Sequence, residues 1–410
     1  MRKFHIVLVV LLCWRPAAVA ASLEQWQGAW GHPATAYNDR AGAARSDGTV
    51  ANPVYAALPP YSDATVREVV RLSASARKIR LRFSNEFGAG SLHIGAAHIA
   101  LAAEDGTIVP GTDHVVTFTG QGGVDIPPGA PMLSDPLSWS LPEFTRLAVS
   151  VYYPTDAPAP AHTLFTLDAW QAAGDHTADA GLSTAKRARS GVHLSEVDIV
   201  PVRSGNTVVT FGDSVTEGVM STVGAFRAWP DRLAERLQAN PSTRNWSVVN
   251  AGIGSNRLLH DTPSVNALAR FDRDVLSVPG AKAVIVLLGI NDIQYSHRNA
   301  AEAVRAPQEI AAFRQLIDRA HAAGLKIFGA TITPFEGSAD YTPDGEADRQ
   351  AMNAFVRSGA FDGVVDFDAA LRDPARPEHL RADTESGGHL HPNDQGYRLM
   401  GDSIDLGLFR

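Results

Sequence analysis

Between about Trp26 and Val200 the apolar positions recur every second residue. Lys78 to Ser84 alternates strictly, with Ile79, Leu81 and Phe83 on one face; Leu147 to Tyr153 does the same, and His114 to Thr119 is a third strand-like run. Glycine and proline clusters, Gly120 to Gly123 and Ile126 to Pro131, separate such runs. Many short strands without clear helices predict an antiparallel β-sandwich, jelly-roll-like, over residues 21–200. Thr184 to Gly205 is charged and poorly periodic and reads as the join between this half and a second domain.

From about Asn206 the pattern changes. Apolar runs at Trp246 to Asn250, Lys282 to Leu288, Leu325 to Ile332 and Gly363 to Phe367 have the continuous character of buried parallel strands. Between them the period is helical. Trp229, Leu233 and Leu237 fall four apart, with Pro230 tolerable in a first turn, and Ile310, Phe313, Leu316, Ile317 and Ala320 form a second amphipathic face ended by Gly324. Residues 206–410 are therefore expected to form a three-layer α/β domain. Its ligand site should lie at the carboxyl ends of the strands.

Composition adds compartment and partners. The chain has 410 residues, 45% of them hydrophobic, enough for two ordinary cores. Arg2 and Lys3, the apolar stretch Phe4 to Trp14 and the small-residue Ala18-Val-Ala20 read as a signal peptide over residues 1–20. The expected fate is secreted or periplasmic. Cys13 is the only cysteine and would leave with that segment, so no disulfide, thiol nucleophile or cysteine metal site is expected. Removing Arg2, Lys3 and Arg15 moves the formal charge from −8 further negative. That balance argues against nucleic acid or an anionic membrane surface as partner.

Phe211-Gly-Asp-Ser-Val-Thr-Glu-Gly218 follows the apolar run Thr207 to Thr210, so a strand should deliver Ser214 onto a tight turn. A serine hydroxyl becomes a nucleophile when backbone N–H groups face it and a histidine reaches it. His391, in His389-Leu-His-Pro-Asn393, is the candidate. Gly-Asp-Ser alone is a common turn, and His391 alone could serve as a helix-entry residue before Pro392, expected to begin the last helix. His389 and His391 lack an evident third ligand, so neither metal nor cofactor is expected. Glu217, Arg257 and Tyr295 are near the expected cleft, with structural roles at least as well supported. Trp26, Trp30, Trp139 and Trp170 are expected to pack in the core or between domains rather than stack on sugars.

Four segments, Gly212-Asp-Ser214, Asn250 to Asn256, Gly289-Ile-Asn-Asp292 and His389 to Pro392, resemble in order and spacing the four blocks of the SGNH (GDSL-type) hydrolase superfamily. The whole chain, with Phe83-Ser-Asn-Glu-Phe-Gly88, is similar to secreted bacterial members with an N-terminal β domain. The resemblance implies a flavodoxin-like sheet and cleavage of carboxylic esters, acetyl groups on glycans or simple acyl esters among them. It assigns Ser214 as nucleophile and first oxyanion donor, Asn291 as a side-chain donor, His391 as general base and Asp213 as a turn brace.

Two positions depart from the pattern. Where the family places a donor glycine one residue before asparagine, this chain has Ser255 after Gly254; Ser255 is slightly preferred as donor and Gly254 remains the alternative. Three residues before the catalytic histidine the family usually carries aspartate, and here Gly388 stands. The carbonyl of residue 388 could accept the Nδ1 proton, Asp383 or Glu385 could reach in, or the site could be crippled. A Ser–His dyad with backbone support is expected, acting on a small-molecule or polysaccharide ester. The alternative is a glycan-binding protein with a degenerate hydrolase domain.

Overall fold

The computed structural model describes residues 24–35, 60–158, 166–182, 185–188, 190–261 and 264–410. The expected signal peptide lies outside them. In the N-terminal half one antiparallel sheet orders the strands Gln27–Gly31, Leu194–Pro201, Ala76–Ser84 and Pro131–Leu133, with Leu137–Leu141 also pairing to Ala76–Ser84. A second orders Lys186–Arg187, Ala169–Ala173, Ala64–Arg71, Arg146–Tyr153, Ala96–Leu101 and His114–Val115. Ile79, Leu81 and Phe83 of one sheet and Val66, Val149 and Val151 of the other share a single buried core. The run from His114 keeps strand geometry for only two residues, although Val116 and Phe118 are buried beyond it.

The segment read as a join holds a fully buried strand, Leu194–Pro201, paired on both sides. Val197 and Ile199 point into the core. Glu196 and Asp198 alternate with them, and Asp198 accepts from Arg80 Nε at 2.8 Å on the neighbouring strand. Buried charges matched across strands made a core strand look like a linker.

In the C-terminal half five parallel strands stand in the order Trp246–Gly252, Asn206–Gly212, Ala281–Leu287, Lys326–Ala330, Gly363–Val365. Alternate residues serve opposite faces: Val209 and Phe211 pack with Phe271, Phe313 and Leu316, whereas Val208 packs with Trp229, Leu233, Tyr397 and Met400. The helices Ala306–Ala322 and Pro343–Val356 thus cover one face, and Trp229–Ala239 and Asp394–Ser403 the other. Pro392 precedes the last helix rather than beginning it. Asn393 is the cap, its side chain accepting the Gly396 N–H at 3.0 Å. The chain leaves Asn206–Gly212 to one side and returns on the other, so the topological crevice opens at Gly212. Among the described residues no helix is long and apolar enough to cross a membrane.

The edge strand Trp246–Gly252 is covered by the β half. Ser73 Oγ receives the Val248 N–H at 2.9 Å and lies 2.8 Å from the Val248 carbonyl, answering polar groups that a bare edge would leave unpaired. Close approach depends on small residues: a Cβ at Gly31 would stand 2.4 Å from Val249 Cγ1.

Candidate active site

The strand Asn206–Gly212 ends at the crevice, and Asp213 caps the short helix Ser214–Glu217. Asp213 Oδ1 accepts the Val215 N–H at 2.9 Å, which fixes the turn that presents Ser214. The Ser214 N–H is a helix-start donor with no acceptor among the described residues. Burial raises the Asp213 carboxyl to about 7. It braces the turn, as expected from its position.

His391 arrives from the far end of the chain, with Nε2 2.9 Å from Ser214 Oγ. Burial alone lowers its pKa to about 4, so the ring is neutral at pH 7 and able to take a proton. If Oγ–H donates to Nε2, the ring's own proton sits on Nδ1. Nδ1 meets no acceptor among the described residues. The Gly388 carbonyl does not bond it, and the two nearby acids are engaged elsewhere. Asp383 pairs with Arg381 at 2.9 Å and accepts from Gln395, while Glu385 accepts the His389 N–H at 3.0 Å and faces its ring. Support for His391 comes through its main chain. Its carbonyl accepts from both the N–H and the hydroxyl of Ser386, at 3.1 and 2.9 Å, and Asn393 Nδ2 ties down the carbonyls of Asp383 and Glu385.

Asn291 occupies the first turn of the helix Ile290–Arg298. Gly289 caps that helix at φ +117, where a Cβ would meet Met352 Cε at 2.4 Å. One hydrogen of Asn291 Nδ2 goes to the Asn256 carbonyl at 3.0 Å, which orients the amide and leaves its second hydrogen for a ligand. Asp292 braces the facing loop by accepting the N–H groups of Leu258 and Leu259, at 2.5 and 3.1 Å.

The loop between these blocks carries the two donor candidates, Gly254 and Ser255. Ser255 has a left-handed φ of +57, and the carboxyl of Glu217 lies near the backbone of Gly254. Glu217 is buried, and that burial raises its carboxyl to about 8. Arg257 is likewise fully buried, paired with Glu302 and lying over the Tyr295 ring.

Sequence reasoning missed Arg270. Its side chain is buried and donates to the carbonyls of Gly212 and Ala251, to Asn256 Oδ1 and to Asp274. It also stacks on Phe211, 4.1 Å from the ring centroid. One residue thus joins the ends of two strands to the loop that orients Asn291. Trp30 lies in the core, Trp139 packs on His114 and Trp26 carries Arg80 over its ring. A cleft between the domains, lined by Trp30, Arg71, Phe144, Phe226 and Glu217, does not include Ser214 or His391. Among the described residues no group of three or more His, Cys, Asp or Glu could hold a metal ion.

Residues 210–399 match the GDSL-like Lipase/Acylhydrolase family model, so the C-terminal half holds a GDSL-type hydrolase-family domain. Three solved structures are similar to this part of the chain. An alpha/beta hydrolase enzyme from the metagenome of Lake Arreo, Spain, is 18% identical, with 49% of this chain and 93% of that one covered and a TM-score of 0.39. For an acetyl xylan esterase the figures are 21%, 48%, 96% and 0.37. For a mutant acetyl-xylooligosaccharide esterase from Geobacillus Stearmophilus they are 20%, 49%, 93% and 0.39. No curated protein matches the chain.

Proposed function

We propose that this protein is a secreted or periplasmic serine esterase that cleaves short acyl or acetyl esters, those on glycans included. The reading rests on one observation above others: Ser214 Oγ stands 2.9 Å from a neutral imidazole nitrogen of His391. Ser214 Oγ attacks the ester carbonyl while His391 Nε2 takes the hydroxyl proton. The oxyanion is held by the N–H groups of Ser214 and Ser255 and by Asn291 Nδ2. Collapse expels the alcohol, protonated by His391, and leaves an acyl group on Ser214. Water, deprotonated by the same nitrogen, attacks the acyl-enzyme and releases the acid.

The expected result is that Ser214→Ala abolishes hydrolysis of p-nitrophenyl acetate and that a fluorophosphonate probe labels Ser214 in the unaltered protein. Retained turnover in the variant would refute the assignment. The rival reading, a glycan-binding protein with a decayed hydrolase domain, draws on the lone Nδ1 of His391. Unlabelled Ser214 together with tight polysaccharide binding would favour it.

A further inference from the structure

Assuming the esterase reading, we propose that Arg273 is a positioning residue for the oxyanion hole and that Phe87, from the β half, holds it in place. The motif Phe83 to Gly88 builds the support. Arg82 Nη2 and Ser84 Oγ donate to the two carboxylate oxygens of Glu86, at 2.8 and 2.7 Å. Asn85 Nδ2 donates to the carbonyls of Gly90 and Ile126 at 2.8 and 2.9 Å, and its own carbonyl accepts the N–H groups of Gly88 and Gly129. A Cβ at Gly88 would stand 1.8 Å from Asn85 Oδ1, so this turn closes only on glycine. These bonds stay within the β half. Phe87 crosses to the hydrolase domain: the Arg273 guanidinium lies over its ring, 4.9 Å from the centroid. Arg273 Nη2 also donates to the Ala34 carbonyl at 3.0 Å, so the β half holds this side chain at two points.

From Arg273 an unbroken run of hydrogen bonds leads to the site. Arg273 binds Asp274 through Nε and Nη2, at 2.5 and 2.8 Å, and Asp274 Oδ2 accepts Arg270 Nη1 at 3.0 Å. Arg270 holds the Gly212 carbonyl and Asn256 Oδ1, both at 2.8 Å, and the Asn256 carbonyl takes one hydrogen of Asn291 Nδ2 at 3.0 Å. A carboxylate gripped at one oxygen can turn about its side-chain bond. The fork of Arg273 on both oxygens fixes the plane of Asp274, and with it the direction of Arg270. Arg273 and Asp274 stand in the π-helical turn Asp272–Leu276, a widened geometry that recurs at functional sites. A tilt of Arg270 is delivered at once to Gly212, two residues before Ser214, and to the loop that orients Asn291. The oxyanion donors of the hydrolase domain are thus set in part from the β half.

The test compares Arg273→Gln, Phe87→Leu and the double variant with the unaltered protein in hydrolysis of p-nitrophenyl acetate. Each single variant should lower kcat about tenfold and change KM by less than about twofold, because the loss falls on charge that develops during reaction. The double variant should fall no further than Arg273→Gln, since Phe87 acts through that guanidinium. A second readout does not depend on turnover. The Ile253 N–H shares the Gly212 carbonyl with Arg270, so hydrogen exchange over Ala251 to Leu258 reports on the loop directly. Exchange there should quicken in all three variants, while the strand Arg146–Tyr153 keeps its protection. Unchanged kcat in Arg273→Gln, or unchanged exchange over that loop, would overturn the proposal. Equal quickening of loop and strand would mark a general loosening and also overturn it. Losses that multiply in the double variant would overturn the part given to Phe87. If the unaltered protein neither hydrolyses the ester nor takes the fluorophosphonate on Ser214, the esterase reading falls by itself, and the exchange measurement alone decides whether Arg273 holds the loop.

Discussion

Arg270 Nη2 donates to the carbonyl of Gly212 at 2.8 Å, two residues before Ser214. The same guanidinium reaches Ala251 and Asn256, so the ends of two neighbouring strands and the loop that holds Asn291 share one cation. Burial lowers its pKa to about 10, and it remains charged at neutral pH. Asp274 and the stacked ring of Phe211 offset part of the cost of keeping it out of water.

Arg270→Lys should therefore weaken both fold and site. A lysine keeps the charge but cannot span three carbonyl-type acceptors with a planar fork. Leaving buried acceptors unpaired costs about 1–3 kcal/mol each, and an ångström of displacement at Ser214 costs about 100-fold in rate. Thermal unfolding and kcat measured on the same preparation check this. A variant with lowered Tm but unchanged kcat would show that Arg270 supports the fold alone.

Asn291→Ala should lower kcat by about 100- to 1000-fold with little change in KM, because its second amide hydrogen would be used on charge that develops only during reaction. Its first hydrogen already holds the Asn256 carbonyl at 3.0 Å. Some of the loss could come from a loosened loop, and Asn291→Gln helps separate the two effects. Steady-state kinetics with p-nitrophenyl acetate decides; a change confined to KM would contradict the role.

The parallel strands were legible in the sequence because buried strands of this kind are continuous apolar runs, and the Ser214 turn and the Asn291 and His391 blocks were legible because their spacing is local. What stayed hidden depends on partners remote in sequence. Arg270 sits in a helical stretch and reads as a surface cation until the carbonyls of Gly212 and Ala251 are seen to converge on it. The strand Leu194–Pro201 was masked by Glu196 and Asp198, whose cross-strand arginines lie more than a hundred residues away. The approach of the Glu217 carboxyl to the backbone of Gly254 leaves no trace in either motif.

Docking of the two halves should respond to a single methyl group. Gly31→Ala places a Cβ 2.4 Å from Val249 Cγ1, an overlap that must displace the β half or the edge strand at about 1–3 kcal/mol. Val249→Ala alone should also destabilise, by leaving a small void. The double variant Gly31→Ala/Val249→Ala should recover part of the loss, a coupling that chemical denaturation measures directly. Strict additivity would mean the two residues do not press on each other.

Stability should fall as pH rises from about 6.5 to 8. Burial lifts Asp213 to about 7 and Glu217 to about 8, so the folded protein holds protons that the unfolded chain, titrating near 4, has already released. Where the folded state binds more protons, raising the pH favours unfolding, by at most about 1.4 kcal/mol per pH unit for each group. His391 acts in the opposite sense. Its folded value of about 4 lies below the ordinary 6.5, so its contribution is fully present above pH 6.5 and is lost as the pH falls toward 4. Below 6.5 the two effects therefore oppose each other, and above it only the carboxyls remain. Glu217→Gln, which keeps the size of the side chain but cannot ionise, should flatten the slope of Tm between pH 6.5 and 8. It should leave the acid limb of kcat/KM, expected near pH 4 from His391, where it was. A slope identical in the two proteins would show that Glu217 does not titrate in that range.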